Sequence, residues 1–230
     1  MEIKPIDYYK KFYIASDPVS TKSYRGNIED ENGDFGNLLR GEYHPDKLVI
    51  THLEGGKEPG ELFWSHVNDP FCISERVKDL LIDNNITGIK FIPTIVKNKN
   101  KKQSSTKYYT VIITGRVHKI DYLNSDIRFI KKKGTVKESA YFIGKKFDAN
   151  SWDSSDFFME RKDNEGKSNC CIYVSQKIVD LFKRNKIANI LFEKLSDYET
   201  WCDMIKIGAN EDMKRKIDDK IKNASAQHTI

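Results

Sequence analysis

Twenty residues of this chain occur twice. Laying Ile73–Ile92 over Val174–Glu193 at a constant offset of 101, without a gap, pairs Ser74 with Ser175, Asp79 with Asp180 and Leu80 with Leu181. It also pairs Asn84 with Asn185, Ile86 with Ile187, Ile89 with Ile190 and Phe91 with Phe192, seven identities in twenty. Each copy opens on a serine able to cap a helix, because its side-chain oxygen can take a free amide of the first turn. Val77, Leu80, Leu81 and their counterparts Ile178, Leu181, Phe182 then recur at helical spacing, giving one apolar face. Asn84-Asn85 and Asn185 suit a helix exit, where a left-handed residue is often required, and the alternating Ile86, Ile89, Phe91 and Ile187, Ile190, Phe192 lead into a strand. Each copy therefore reads as helix, tight turn, strand.

The flanks are rich in β-formers. Residues 11–15, 48–53, 62–64, 108–113, 116–120, 140–144 and 157–161 carry the aromatic and β-branched content of strands, separated by Gly, Asn, Asp and Pro. The fold class expected is α+β, with an antiparallel or mixed sheet and two repeated helix-turn-strand units. The spacing predicts a charged helix over 210–223, with Met213, Ile217 and Ile221 as a narrow stripe able to dock on the body or on a second chain. Residues 17–41 read as a long loop and 97–107 as a hairpin loop or linker. A pseudo-symmetric pair follows, with halves near 1–125 and 126–230. Two lobes and one continuous domain both satisfy this layout.

The sequence carries no catalytic motif among those with a fixed local pattern. No G-x-S-x-G turn occurs, and Gly33-Asp34-Phe35-Gly36 and Gly55-Gly56 fit no phosphate cradle and read as turns. Cys72, Cys170, Cys171 and Cys202 form no C-x-x-C pair and are expected as reduced thiols. His44, His52, His66, His118 and His228 are scattered away from any zinc spacing, so neither metal nor cofactor is expected. Asp148, Asp153, Asp156 and Glu160 gather around Trp152, an arrangement that reads better as a loop or partner contact than as an acid-base cleft. No run of apolar residues reaches membrane-helix length, and the opening Met-Glu-Ile-Lys-Pro-Ile-Asp lacks the apolar stretch of a secretory signal, so a cytoplasmic protein is expected.

Charge is uneven. Residues 90–137 hold thirteen Lys or Arg against Asp121 and Asp126, a net +11 inside a chain of +5, which leaves −6 for the remainder. That basic middle suits phosphate or an acidic partner, although Lys97–Lys102 and Lys131–Lys133 also suit solvated loop tips that discourage edge pairing. Arginines and aromatics are not interleaved with these lysines along the chain, which weighs against base reading.

One resemblance bears on function. Ser74, Arg76, Lys78, Leu80 and Leu81, then Thr87, Gly88, Ile89, Phe91 and Pro93, then Tyr108 and Tyr109, resemble the signature of a family of bacterial immunity proteins, repeated more weakly from Val174. The resemblance implies membership of a polymorphic toxin system, in which such a protein is encoded beside a toxin and neutralises it by binding. It implies no catalytic residues. Ala188-Asn189 replaces Thr-Gly in the second copy, so a different turn is expected there. The partner expected is a cognate toxin, with Lys101, Lys102, Lys131, Lys132, Lys133 and Trp152 as contact residues and Trp64, Trp152 and Trp201 as candidate anchors. A nucleic-acid-binding protein using 90–137 is the alternative.

Overall fold

A computed structural model describes residues 10–20, 22–29, 35–65, 70–162, 166 and 169–228. His66, Gly33 and Asp34 lie outside them. The chain divides into two compact units. The larger comprises Tyr13–His118 and Asn150–Phe192, and the smaller comprises the described part of Met1–Phe12 with Lys119–Ala149 and Glu193–Ile230. The fold is α+β, as its sequence predicts.

In the larger unit, β2 (Arg25–Ile28), β3 (Leu48–Glu54), β4 (Leu62–Ser65), β5 (Phe71–Ser74), β6 (Ile89–Val96) and β7 (Tyr108–Ile113) close into a barrel, in the order β2-β3-β6-β7-β5-β4. Alternate residues of its strands fill the inside, where Tyr24, Ile50, Phe63, Cys72, Tyr108 and Ile112 meet. The other face is buried too. Leu62, Trp64, Phe71, Ile73, Val111 and Ile113 pack against the helices α2 (Glu75–Asp83) and α3 (Gln176–Arg184). Burial on both faces explains why β4, β5 and β7 read as near-continuous apolar runs, whereas β2 and β3 bury alternate residues. Val77, Leu81, Ile178, Val179, Leu181 and Phe182 are the helical contribution, each worth about 1.5–3 kcal/mol of transfer free energy. A second sheet orders β13 (Leu191–Lys194), β1 (Phe12–Ser16), β12 (Ile172–Ser175), β11 (Phe157–Glu160) and β8 (Gly115–Val117).

The two repeat copies match in backbone detail. Ser74 and Ser175 are the N-caps of α2 and α3, with φ −67 and −74. The C-caps Asn84 and Asn185 have φ −93 and −95, and each donates its side-chain amide 2.9 Å to a carbonyl one turn back, Leu80 or Leu181. Asn85 and Lys186 then turn left-handed at φ +50 and +55. The different turn expected from Ala188-Asn189 does not occur. Asn189 takes φ +66 where Gly88 takes +81, because asparagine tolerates the left-handed region better than most residues.

Residues 17–41 are not the loop their polarity suggests. They contain β2 and a short helix α1 (Phe35–Arg40), whose Leu38 and Leu39 are fully buried. The segment 97–107 is a hairpin connection, closed by a bridge between Lys97 and Gln103.

The smaller unit is built on a three-stranded antiparallel sheet, β14 (Glu199–Trp201), β10 (Ser139–Ile143) and β9 (Asp126–Ile130), in that order. Helices α4 (Cys202–Ile207) and α5 (Glu211–His228) follow. Phe142, Cys202 and Ile217 form its core, with Ile127, Ala140, Ile205 and Ile221 packed against it. Of the apolar stripe on α5, Ile217 and Ile221 dock within this unit, and Met213 is left exposed.

Candidate partner-binding surface

The pleat of the three-stranded sheet sorts its residues by face. Phe142 pairs across to Ile127 and Thr200, and Phe142 and Ile127 point into the core. Tyr141 therefore points the other way. Its direct partners are Arg128 on β9 and Trp201 on β14, so Arg128, Tyr141 and Trp201 form one cross-strand row on the outer face. Trp201 is 40% exposed and Arg128 is exposed as well.

The β9–β10 connection borders this row. Lys132 places its ammonium 5.0 Å from the centre of the Tyr141 ring and pairs with Glu199, whose carboxylate holds the Lys132 pKa above its usual value. A groove of about 440 Å³ runs beside the pair, lined by Lys132, Glu193, Lys194, Asp197, Tyr198 and Glu199. Lys131 and Lys133 are exposed beside it, and Val136, at 88% exposed, projects from the same connection. Beyond Trp201, Met204 and Ile207 emerge three residues apart on one flank of α4, Ile207 at 77% exposed.

The other expected contact residues belong to the larger unit. Lys101, at φ +60, and Lys102 sit exposed in the β6–β7 connection, where Asn98 accepts the Lys102 amide at 3.1 Å. Trp152 is half-buried against Phe158 and donates its indole N–H to the Ser155 carbonyl at 3.1 Å. Trp64 is a core residue, its indole donating 2.8 Å to the Asn189 carbonyl.

The carboxylates near Trp152 hold the chain in place. Asp153 accepts from the amides of Arg116 at 2.7 Å and Ser155 at 3.1 Å. Asp156 accepts from Thr87 and Ser175, and the buried Glu160 accepts from the Tyr173 hydroxyl at 3.2 Å. Asp148 lies in the smaller unit. Among the described residues no three His, Cys, Asp or Glu side chains come together as metal ligands, and no helix is long and apolar enough to cross a membrane.

The cysteines form no disulfide among the described residues. Burial pushes the Cys72 thiol up to about 12 and the Cys202 thiol to about 11. Since the thiolate is the reactive form, a thiol reagent at pH 8 is expected to modify at most Cys170 and Cys171 in the native protein, and all four only after denaturation. Mass spectrometry of the labelled protein checks this, and fast labelling of Cys72 would contradict the buried placement.

The sequence matches the immunity protein family Imm11 over residues 19–197. The chain belongs to that family. No curated protein matches it. The Imm11 match takes in both copies of the repeat, Arg128, Tyr141 and Lys131–Lys133, and it ends before Glu199, so Trp201, Met204, Ile207 and α5 lie past it. The cross-strand row was hidden from sequence reasoning because its three members are separated by 13 and 60 positions and only strand register joins them.

Proposed function

We propose that this Imm11 protein is a cytoplasmic antidote of a polymorphic toxin system, which neutralises its cognate toxin by binding it and performs no chemistry of its own. The observation that carries the reading, beside family membership, is the outward row of Arg128, Tyr141 and Trp201 on a sheet whose other face is core. Arginine, tyrosine and tryptophan are the residues that most often dominate binding energy at protein interfaces. A rigid sheet presents them without ordering cost.

The same face supports the second reading. Two aromatics beside Arg128 and Lys132 form a platform on which bases could stack. Salt separates the two, because affinity for a phosphate backbone falls steeply with ionic strength and an apolar-centred protein interface does not. Affinity capture with the tagged chain from its native host, washed at about 0.1 M and about 1 M salt, is expected to retain one stoichiometric protein. Expressing that protein alone should arrest growth, and co-expression of this chain should restore it. Recovery of nucleic acid that washes away at high salt, with no growth-arresting partner, would replace the toxin reading.

A further inference from the structure

Resting on the toxin-binding reading, we infer that the outer face of the β14-β10-β9 sheet, with the adjoining flank of α4, is the docking surface, and that it takes a toxin surface with an apolar projection flanked by carboxylates on the side that meets the β9–β10 hairpin. Tyr141 and Trp201 give the centre of the surface, large contact areas held on strands. Met204 and Ile207 extend it along the chain, and Val136 adds an exposed aliphatic group from the β9–β10 connection.

The rim fixes the sign of the partner. On α4 and the first turns of α5 the cations are paired locally: Lys206 lies 2.7 Å from Asp203 and 3.0 Å from Asp218, Lys214 lies 2.7 Å from Glu211, and Lys216 lies 2.7 Å from Asp212, while Lys220 and Lys222 further along α5 have no ion-pair partner among the described residues. The β9–β10 hairpin differs. It carries Arg128, Lys131, Lys132, Lys133 and Lys137 against Asp126 and Glu138, and Lys132 alone among these cations is paired, with Glu199. Arg128, Lys131, Lys133 and Lys137 have no ion-pair partner among the described residues, and carboxylates opposite them would complete the interface.

Two other occupants fit less well. Met204, Ile207 and Val136 have nothing to meet on a sugar-phosphate strand. A second copy of this chain on a two-fold axis would set two faces carrying the same unpaired cations against each other. The surface is also composite: Tyr141 and the lysines fall inside the family match, and Trp201, Met204 and Ile207 fall past its end at residue 197. The segment beyond the match thus supplies Trp201, Met204 and Ile207, and the segment inside it supplies Tyr141, Val136 and the cations.

The test uses the full chain and, as probe, the toxin domain encoded by the adjacent gene in a catalytically disabled form, with rates measured by biolayer interferometry. Trp201→Ala should weaken binding about 30-fold or more, mainly through faster dissociation. The combined Lys131→Glu, Lys133→Glu, Lys137→Glu variant should slow association about tenfold at low salt, a gap that closes at high salt. The matching Lys99→Glu, Lys101→Glu, Lys102→Glu variant in the larger unit should stay within about twofold. All replaced side chains are exposed, and unchanged thermal melts show that the variants fold. A wild-type chain that binds while Trp201→Ala and the Lys131 set both stay within about twofold overturns the surface and leaves toxin binding standing. A wild-type chain that neither binds the probe nor protects cells from the active toxin overturns toxin binding itself. Tighter binding of an oligo(dT) strand, or a dimer in sedimentation, either one abolished by Trp201→Ala, assigns the face to another occupant.

Discussion

Replacing Gly88 by alanine is expected to cost about 3 kcal/mol of stability and to lower the melting temperature by roughly 10 °C. Two effects combine at this position. Its φ of +81 lies in the left-handed region, and a Cβ there would stand 2.0 Å from the Phe157 carbonyl oxygen and 2.6 Å from the Ser155 Cβ. The carbonyl belongs to a fully buried strand residue and cannot swing aside. Gly134 separates the two effects. It has φ +87 with nothing within 4 Å of an added Cβ, so Gly134→Ala should pay the conformational term alone, about 1–2 kcal/mol. Calorimetry of both variants checks the difference. Equal losses would mean that the approach to Phe157 relaxes freely.

The same position shows what the repeat makes legible. Serine cap, apolar helix face, asparagine exit and following strand are local features, so identical residues at offset 101 specify identical backbone twice. The exchange of Gly88 for Asn189 looks like a break and is not one, because the left-handed angle is a backbone requirement that both residues meet. Long-range pairing was less visible. In the barrel β7 lies between β6 and β5, and it follows β6 in sequence. In the second sheet the strand between β13 and β12 is β1, drawn from the other end of the chain, so the repeat stops at twenty residues although the strand order continues it. Residues 17–41 misled for another reason. Their buried Arg40 satisfies part of its guanidinium by donating to the Glu160 carbonyl at 2.6 Å, a polar residue inside that composition alone assigns to the surface.

The proposed docking surface was half legible. Lysines 131–133 stand out as a charge run, but whether such a run is a solvated tip or the rim of an interface depends on its neighbours. Register supplies them: Tyr141 under Lys132, then Arg128 and Trp201 on either side of Tyr141. Of the three tryptophans, buried Trp64 follows the apolar pair Leu62-Phe63, whereas exposed Trp201 follows Glu199-Thr200 and precedes Cys202-Asp203, a difference that composition does not show.

Asp156→Ala is expected to cost about 3 kcal/mol, because one carboxylate ties the turn of the first repeat to the helix start of the second. Its oxygens accept from the Thr87 amide at 3.1 Å, the Thr87 hydroxyl at 3.3 Å, the Ser175 hydroxyl at 2.8 Å and the Lys177 ammonium at 3.4 Å. Ser74 caps its own helix by accepting the Val77 amide at 3.4 Å, whereas Ser175 makes no such bond and turns its hydroxyl to Asp156. The identical serines of the repeat thus do different work, and Asp156, which belongs to neither copy, is the cause. Asp156→Asn should lose roughly half as much, since the amide keeps one acceptor and surrenders the charge. Ser175→Ala should cost about 1 kcal/mol in the native background and little once Asp156 is alanine. Urea titrations of the single and double variants measure that coupling, and a Ser175→Ala cost that is the same in both backgrounds would show that the two residues act independently.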